Sequence, residues 1–271
     1  MNNRAARPTV SVMIPYFNCK EYIAEAIESV ERQTYPNIET IVVDDGSDSE
    51  HAAYLKAYLS DKPFIKLETQ TNRGVATARN RAARLANGKY FLFLDADDVI
   101  LPEYIEKAVS ILESNSDCKL VYPQAEFFGL HASSWHLPAF SGLGKLLEGN
   151  HIPIIAIHHA EDFKKLSGFD ENLVTHEDWD LWIRILKHGH SAVQIPQILF
   201  RYRKRVDQSS LTDRLLKDSF VMKQSWQQVY IKHSELFVKN GLGYHDLVSN
   251  RKKCDARKNG WLKKLTGRLK K

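Results

Sequence analysis

The 271-residue chain is 43% hydrophobic and 26% charged, with 38 Lys+Arg against 33 Asp+Glu and a formal net charge of +5. This composition excludes global disorder, and the length allows one large or two small domains with a core that needs no covalent staples. Three widely spaced cysteines, Cys19, Cys118 and Cys254, form no C-x-x-C, which argues against a disulfide framework or a zinc site and for a reducing compartment. No apolar run approaches the roughly 18 residues of a membrane-spanning helix. The N-terminus leads straight into strand-like residues, so no signal peptide is expected and the chain reads as soluble and intracellular.

In chain order, Thr9 to Ile14 and Ile38 to Val43 are short, β-branched and almost wholly apolar, as strands buried on both faces should be. Between them Tyr22, Ile23, Ala26, Ile27 and Val30 recur at helical spacing, and Pro36 stops that helix. The cycle repeats with a helix near His51 to Leu59, a strand near Phe64 to Glu68, a helix from Val75 to Ala86 and a strand from Tyr90 to Leu94. A helix opened by Pro102 then carries Ile105, Val109 and Leu112 on one stripe. Such alternation predicts a parallel sheet with right-handed crossovers and helices on both faces. Ligands on these sheets bind beyond the carboxyl ends of the strands.

Residues 129–151 hold five Gly and Pro without clear periodicity and read as a long loop or lid. Strand-like residues return at Ile152 to Ile157, a helix is expected over Glu177 to Lys187 and a strand near Ala192 to Tyr202. Leu211 to Lys239 is helical again. Residues 251–271 break the composition: ten Lys/Arg against one Asp give +9, so residues 1–250 carry −4. In this tail Trp261, Leu262, Leu265 and Leu269 share one helical face, with lysines opposite. It reads either as a solvated basic tail or as an amphipathic helix docking on an anionic membrane surface. Interleaved stacking aromatics are missing, so no nucleic-acid partner is expected.

Two carboxylate clusters fall at strand ends, Asp44-Asp45-Gly46-Ser47 and Asp95-Ala96-Asp97-Asp98. Asp-Gly-Ser also makes turns and Asp also caps helices. Five carboxylates close together nevertheless repel one another unless a cation or a set of donors offsets them, and Mg²⁺ or Mn²⁺ with phosphate oxygens is the usual answer. Asp95 and Asp97, two residues apart, can converge on one ligand. Gly74 opens a helix whose N-terminus suits an anion, with Arg79 in reach of a diphosphate, or with Arg73, Arg79, Arg81 and Arg84 forming a solvated face. Glu177 and Asp178 begin a helix and are flanked by Trp179 and Trp182, a combination suited to a polyhydroxylated ligand and a carboxylate base.

With these residues placed, the chain resembles a family 2 glycosyltransferase from about Val10 to Thr212. The motifs run in order: Val-Ser-Val-Met-Ile-Pro-Tyr-Phe-Asn, Ser-Val-Glu-Arg-Gln-Thr-Tyr-Pro-Asn-Ile-Glu, Val-Val-Asp-Asp-Gly-Ser-Asp, then Asn-Arg-Gly with Ala-Arg-Asn. Asp-Ala-Asp-Asp, Gly-Phe-Asp-Glu and Glu-Asp-Trp-Asp-Leu-Trp complete them. The resemblance implies the α/β GT-A fold, a mostly parallel central sheet flanked by helices. It also implies inverting, metal-dependent transfer of a sugar from a nucleotide diphosphate sugar, usually a UDP-sugar, to a hydroxyl acceptor.

By match to the family pattern, Pro15 and Phe17 line the base pocket, Asp45 hydrogen-bonds the base, and Asp95 contacts ribose or helps bind metal. Asp97 holds Mn²⁺ or Mg²⁺ on the diphosphate, and Asp178, beside Glu177, is the general base. The Gln-x-x-Arg-Trp of processive polymerases is absent, which favours single additions. Many relatives carry His where this chain has Arg205, and Arg203 is left as a candidate diphosphate contact.

The expected organisation is a GT-A domain over residues 1–210, with a nucleotide-binding half at about 8–115 and an acceptor half at about 116–210. A helical extension at 211–250 and the basic tail at 251–271 follow. The expected role is in bacterial surface polysaccharide synthesis, with a lipid-diphosphate-linked saccharide acceptor met at the inner face of the cell membrane. A polyprenyl-phosphate sugar synthase is the near alternative; sugar-phosphate nucleotidyl transfer and a non-catalytic binding module are the others.

Overall fold

The structure is a computed structural model that describes residues 8–207, 210 and 219–243; the basic tail lies outside the described residues. Its first half follows the predicted alternation. Strands β1 (Val10–Tyr16), β2 (Ile38–Asp44), β3 (Ile65–Thr69) and β4 (Tyr90–Phe93) run parallel in the order β3-β2-β1-β4, linked through helices α1 (Ile23–Glu31), α2 (Ser49–Leu59) and α3 (Val75–Leu85).

Both faces of β1, β2 and β4 are buried, which is why they read as continuous apolar runs, whereas β3, at the sheet edge, is partly exposed. Val10, Val12, Ile14, Tyr90 and Leu92 point into one core, with α1 and helix α4 (Tyr104–Ser114). Met13, Ile41, Val43, Phe91 and Phe93 point into the other, with Ala78 and Ala82 of α3. The alternation is the two-residue period of the strand.

The second half departs from expectation. The longest strands are β6 (Cys118–Gly129) and β9 (Ser191–Lys204), which pair parallel from Cys118↔Ser191 to Gly129↔Lys204 across bulges. The sequence does not announce β6, because Pro123, Gln124 and Glu126 interrupt its apolar pattern. The short β5 (Val99–Ile100) pairs antiparallel with β9, and β8 (Ile157–His159) lies antiparallel between β4 and β6. Ile152 to Ala156, expected as strand, form a turn in which Ala156 N–H donates to Pro153 O at 3.0 Å; only Ile157 reaches the sheet.

Residues 129–151 are not a bare loop. They contain strand β7 (Ser133–Trp135), paired antiparallel with β6, and helix α5 (Leu143–Glu148). Buried Leu137, Leu146 and Leu147 anchor the segment. The Leu137 carbonyl accepts from Gln124 Nε2 at 2.7 Å and Gln194 Nε2 at 2.6 Å, so the polar residues of β6 and β9 serve the segment packed on them.

Helices α6 (Ala160–Lys165) and α7 (Glu177–Leu186) follow β8, and α8 (Ser219–Lys232) and α9 (Ser234–Lys239) lean on α7. Trp226 and Phe237 pack on Trp179 with ring centroids 6.2 and 6.3 Å away, and Asp180 of α7 lies 2.8 Å from His233 Nε2. Among the described residues no helix is long and apolar enough to cross a membrane.

Candidate active site

The carboxyl ends of β1, β2 and β4 open onto a cavity of about 820 Å³. Pro15, Phe17, Asp45, Arg79, Asp95, Asp97, Glu177 and Asp178 all line it. Segments as distant in sequence as Arg79 and Glu177 thus meet at one place, the edge where open α/β sheets bind ligands.

The floor is tied together by the polar motifs. Asp45 accepts from the backbone N–H groups of Arg73 and Gly74, both at 2.9 Å, and from Gln70 Nε2 at 2.8 Å. Its carboxylate therefore shapes the loop that enters α3. Gly46, at φ +73°, sits where a Cβ would lie 2.5 Å from Asn72 N, so only glycine fits this crossing. Six residues past Gly74, Asn80 brackets Phe169: its Oδ1 accepts the Phe169 N–H and its Nδ2 donates to the Phe169 carbonyl, both at 2.9 Å. Phe17, 40% exposed, presents an open ring to the cavity.

Arg79 is not the free diphosphate grip expected from its helix position. It is 4% exposed and bridges two acids, Asp95 at 2.6 Å and Glu177. Glu177 is itself buried, so this acid is a tether for Arg79. Asp178, the next residue, stays half-buried at the cavity wall. Its Oδ1 accepts the Trp179 N–H at 2.7 Å and its Oδ2 accepts from Asn150 Nδ2 at 2.9 Å. Burial, with the Glu177 charge beside it, pushes the Asp178 carboxyl up to about 7. A carboxyl there exchanges a proton near neutral pH, as a general base must.

The two tryptophans do not form a sugar platform. Trp179 and Trp182 are fully buried, and their indole N–H groups donate to Leu146 O at 2.7 Å and Ile152 O at 3.1 Å. They carry the start of α7 into position. The aromatic wall comes instead from Trp135, which stacks on Phe127 with centroids 5.1 Å apart and meets Tyr202 edge-on at 5.5 Å. Asn150 and Trp135 escaped the sequence reading because both lie in the segment taken as a loop, where spacing carries no signal.

The end of β9 and the residue after it also differ from expectation. Arg203 turns away from the cavity: its guanidinium sits between the Phe128 and Tyr22 rings, donates to the Asp97 backbone carbonyl at 2.7 Å and pairs with Glu25. Arg205 does line the cavity, with Nε 2.7 Å from Asp97 Oδ2.

A divalent ion needs carboxylate oxygens to spare. Here Asp97 Oδ2 is taken by Arg205 and Asp95 Oδ1 by Arg79. Burial, with the neighbouring Asp charges, pushes Asp97 and Asp98 above the ordinary carboxylate range. Among the described residues no three His, Cys, Asp or Glu side chains gather so as to hold a metal. The expected Mn²⁺ or Mg²⁺ on Asp95 and Asp97 therefore does not fit this arrangement. An incoming ion would lie beside the two guanidinium groups that already engage these carboxylates, and like charges repel.

Residues 11–161 match the family described as Glycosyl transferase family 2. The chain belongs to glycosyltransferase family 2. It is 30% identical over 220 residues to the Escherichia coli UDP-Glc:alpha-D-GlcNAc-diphosphoundecaprenol beta-1,3-glucosyltransferase WfgD, covering 80% of this chain and 83% of that one. It is 31% identical over 207 residues to an uncharacterized glycosyltransferase of Methanocaldococcus jannaschii, covering 73% and 71%. The fold matches the crystal structure of S. aureus TarS 1-349 in complex with UDP-GlcNAc at a TM-score of 0.63 and 21% identity, over 73% of this chain and 59% of that one. The family 2 chain thus carries the GT-A fold and is a glycosyltransferase.

Proposed function

We propose that this glycosyltransferase moves a sugar, with inversion, from a UDP-sugar to a hydroxyl of a lipid-diphosphate-linked saccharide, one residue at a time. The observation that carries the reading is Asp178: a carboxyl near neutral pKa, oriented by two hydrogen bonds, on the wall of the cavity that Phe17, Asp45 and Asp95 also line. WfgD, by its name a glucosyltransferase using UDP-Glc and a diphosphoundecaprenol-linked GlcNAc, supports the donor and acceptor classes. The UDP-GlcNAc complex of TarS supports a UDP-sugar as donor.

In this reading Phe17 stacks on the base, with Pro15 beside it, and the Asp45-ordered loop bounds the base pocket. Asp95, held by Arg79, faces the ribose. Asp178 takes the acceptor hydroxyl proton as that oxygen attacks the anomeric carbon. The bond to the diphosphate breaks on the opposite face, and UDP leaves with the electron pair. Holding base, acceptor and donor in line removes much of the entropic barrier. The divalent ion expected from the sequence has no part in this reading, because arginines engage Asp95 and Asp97.

The nucleotide-binding half at 8–115, the acceptor half at 116–210, the extension at 211–250 and the tail at 251–271 make up the proposed organisation. The acceptor is membrane-borne in this scheme, and the +9 tail docks the enzyme on the anionic inner face of the membrane. Removing residues 251–271 then abolishes co-sedimentation with anionic vesicles while sparing UDP-sugar hydrolysis; unchanged co-sedimentation refutes the docking role. The donor is tested with a panel of nucleotide sugars scored for protection against thermal unfolding, since a bound ligand stabilises the folded state by mass action. UDP-sugars should give the largest shifts; protection by none of the panel would contradict the reading.

A further inference from the structure

We infer that Arg205 takes the place of a divalent cation at the donor's diphosphate, so that UDP binds without metal. The inference rests on the UDP-sugar reading above. Arg205 lines the same cavity as Phe17, Asp95 and Asp97, with its side chain only 15% exposed. It is held on several sides: Nε donates to Asp97 Oδ2 at 2.7 Å, one terminal nitrogen donates to Cys19 Sγ at 3.2 Å, and the guanidinium carbon lies 5.3 Å from the Tyr22 ring centroid. These contacts come from the end of β4 and from the segment entering α1, two fixed parts of the scaffold. The charge is in place before any ligand arrives, the arrangement that makes an electrostatic contact effective.

Guanidinium chemistry fits the task. Its N–H donors form a planar fork that can serve a carboxylate and a phosphate oxygen together, and it stays charged at any working pH. It has no lone pair with which to ligate a metal. The neighbouring carboxylates fit as well. Asp97 orients Arg205 through Oδ2 and Asp95 is engaged by Arg79 through Oδ1, so each carboxylate already has a guanidinium as its counter-charge. Lys204, on the same cavity wall, adds a second positive charge.

The test is calorimetric titration of the full chain with UDP in EDTA and again with MnCl₂. The expected result is the same affinity in both buffers for the unaltered protein. In EDTA, Arg205→Ala should weaken UDP binding by about tenfold or more, the loss of one charge-assisted hydrogen-bonding group. Arg205→Lys, which keeps the charge, should bind UDP in EDTA more tightly than Arg205→Ala, with thermal melting to verify that both variants fold. UDP binding that requires Mn²⁺, or equal loss in the Lys and Ala variants, overturns the assignment while leaving the donor reading intact. Binding in neither buffer overturns the donor reading along with it.

Discussion

Asn150 donates to the Asp178 carboxylate at 2.9 Å, tying the segment that follows α5 to the candidate base. Asn150 Oδ1 accepts the Ile152 N–H at 3.2 Å, which fixes the amide with its NH₂ toward Asp178. The bond is available whether Asp178 is charged or neutral, but it is stronger to the charged form and so favours ionisation.

The pH dependence of transfer follows from Asp178. Its carboxyl lies near 7 and must be ionised to accept a proton, so the rate should rise with pH through about 7 and then level off. Asp178→Asn should lower the rate by about 10²- to 10⁴-fold, the usual contribution of a positioned base. Rates from pH 5 to 9 check both. Near-full activity of Asp178→Asn would point to a phosphate acceptor, which needs no base.

Asn150→Ala removes a donor from the ionised carboxylate. The midpoint of the pH–rate profile should therefore move to higher pH, with the fold intact by circular dichroism. An unmoved midpoint would deny Asn150 its part in setting the base.

Arg79 is the buried counter-charge shared by Asp95 and Glu177. Arg79→Ala strands both carboxylates and should cost about 3–5 kcal/mol in urea unfolding, the range for breaking a buried pair on one side. A loss below about 1 kcal/mol, the scale of exposed pairs, would show that water reaches them freely.

Trp182→Phe leaves the Ile152 carbonyl without its indole donor. The expected cost is about 1–3 kcal/mol of stability, the penalty for a buried unsatisfied acceptor. The KM for acceptor should not change, because the ring faces the core; a raised KM would return Trp182 to the role of a sugar platform.

The legible part of the chain is the part whose pattern is local. Both-face burial made β1, β2 and β4 readable, and the spacing of Ile105, Val109 and Leu112 marked α4. Strand β6 stayed hidden because Gln124 earns its place through Leu137, thirteen residues away, a partner no window of sequence displays. The acidic motifs were legible as residues that share a site, and all eight candidates line one cavity. Their pairings were not legible: Arg79 looked like a phosphate grip until Glu177, 98 residues on, was seen to hold it. Trp179 and Trp182 had the same letters as a sugar-stacking pair, and only burial tells the two apart.

The central claim is inverting transfer from a UDP-sugar with Asp178 as base. The most direct measurement is nuclear magnetic resonance of the product formed from an α-linked UDP-sugar and a lipid-diphosphate-linked saccharide. The account predicts a β-linked product with stoichiometric UDP, lost in Asp178→Asn. Retained α configuration, or pyrophosphate in place of UDP, would contradict it.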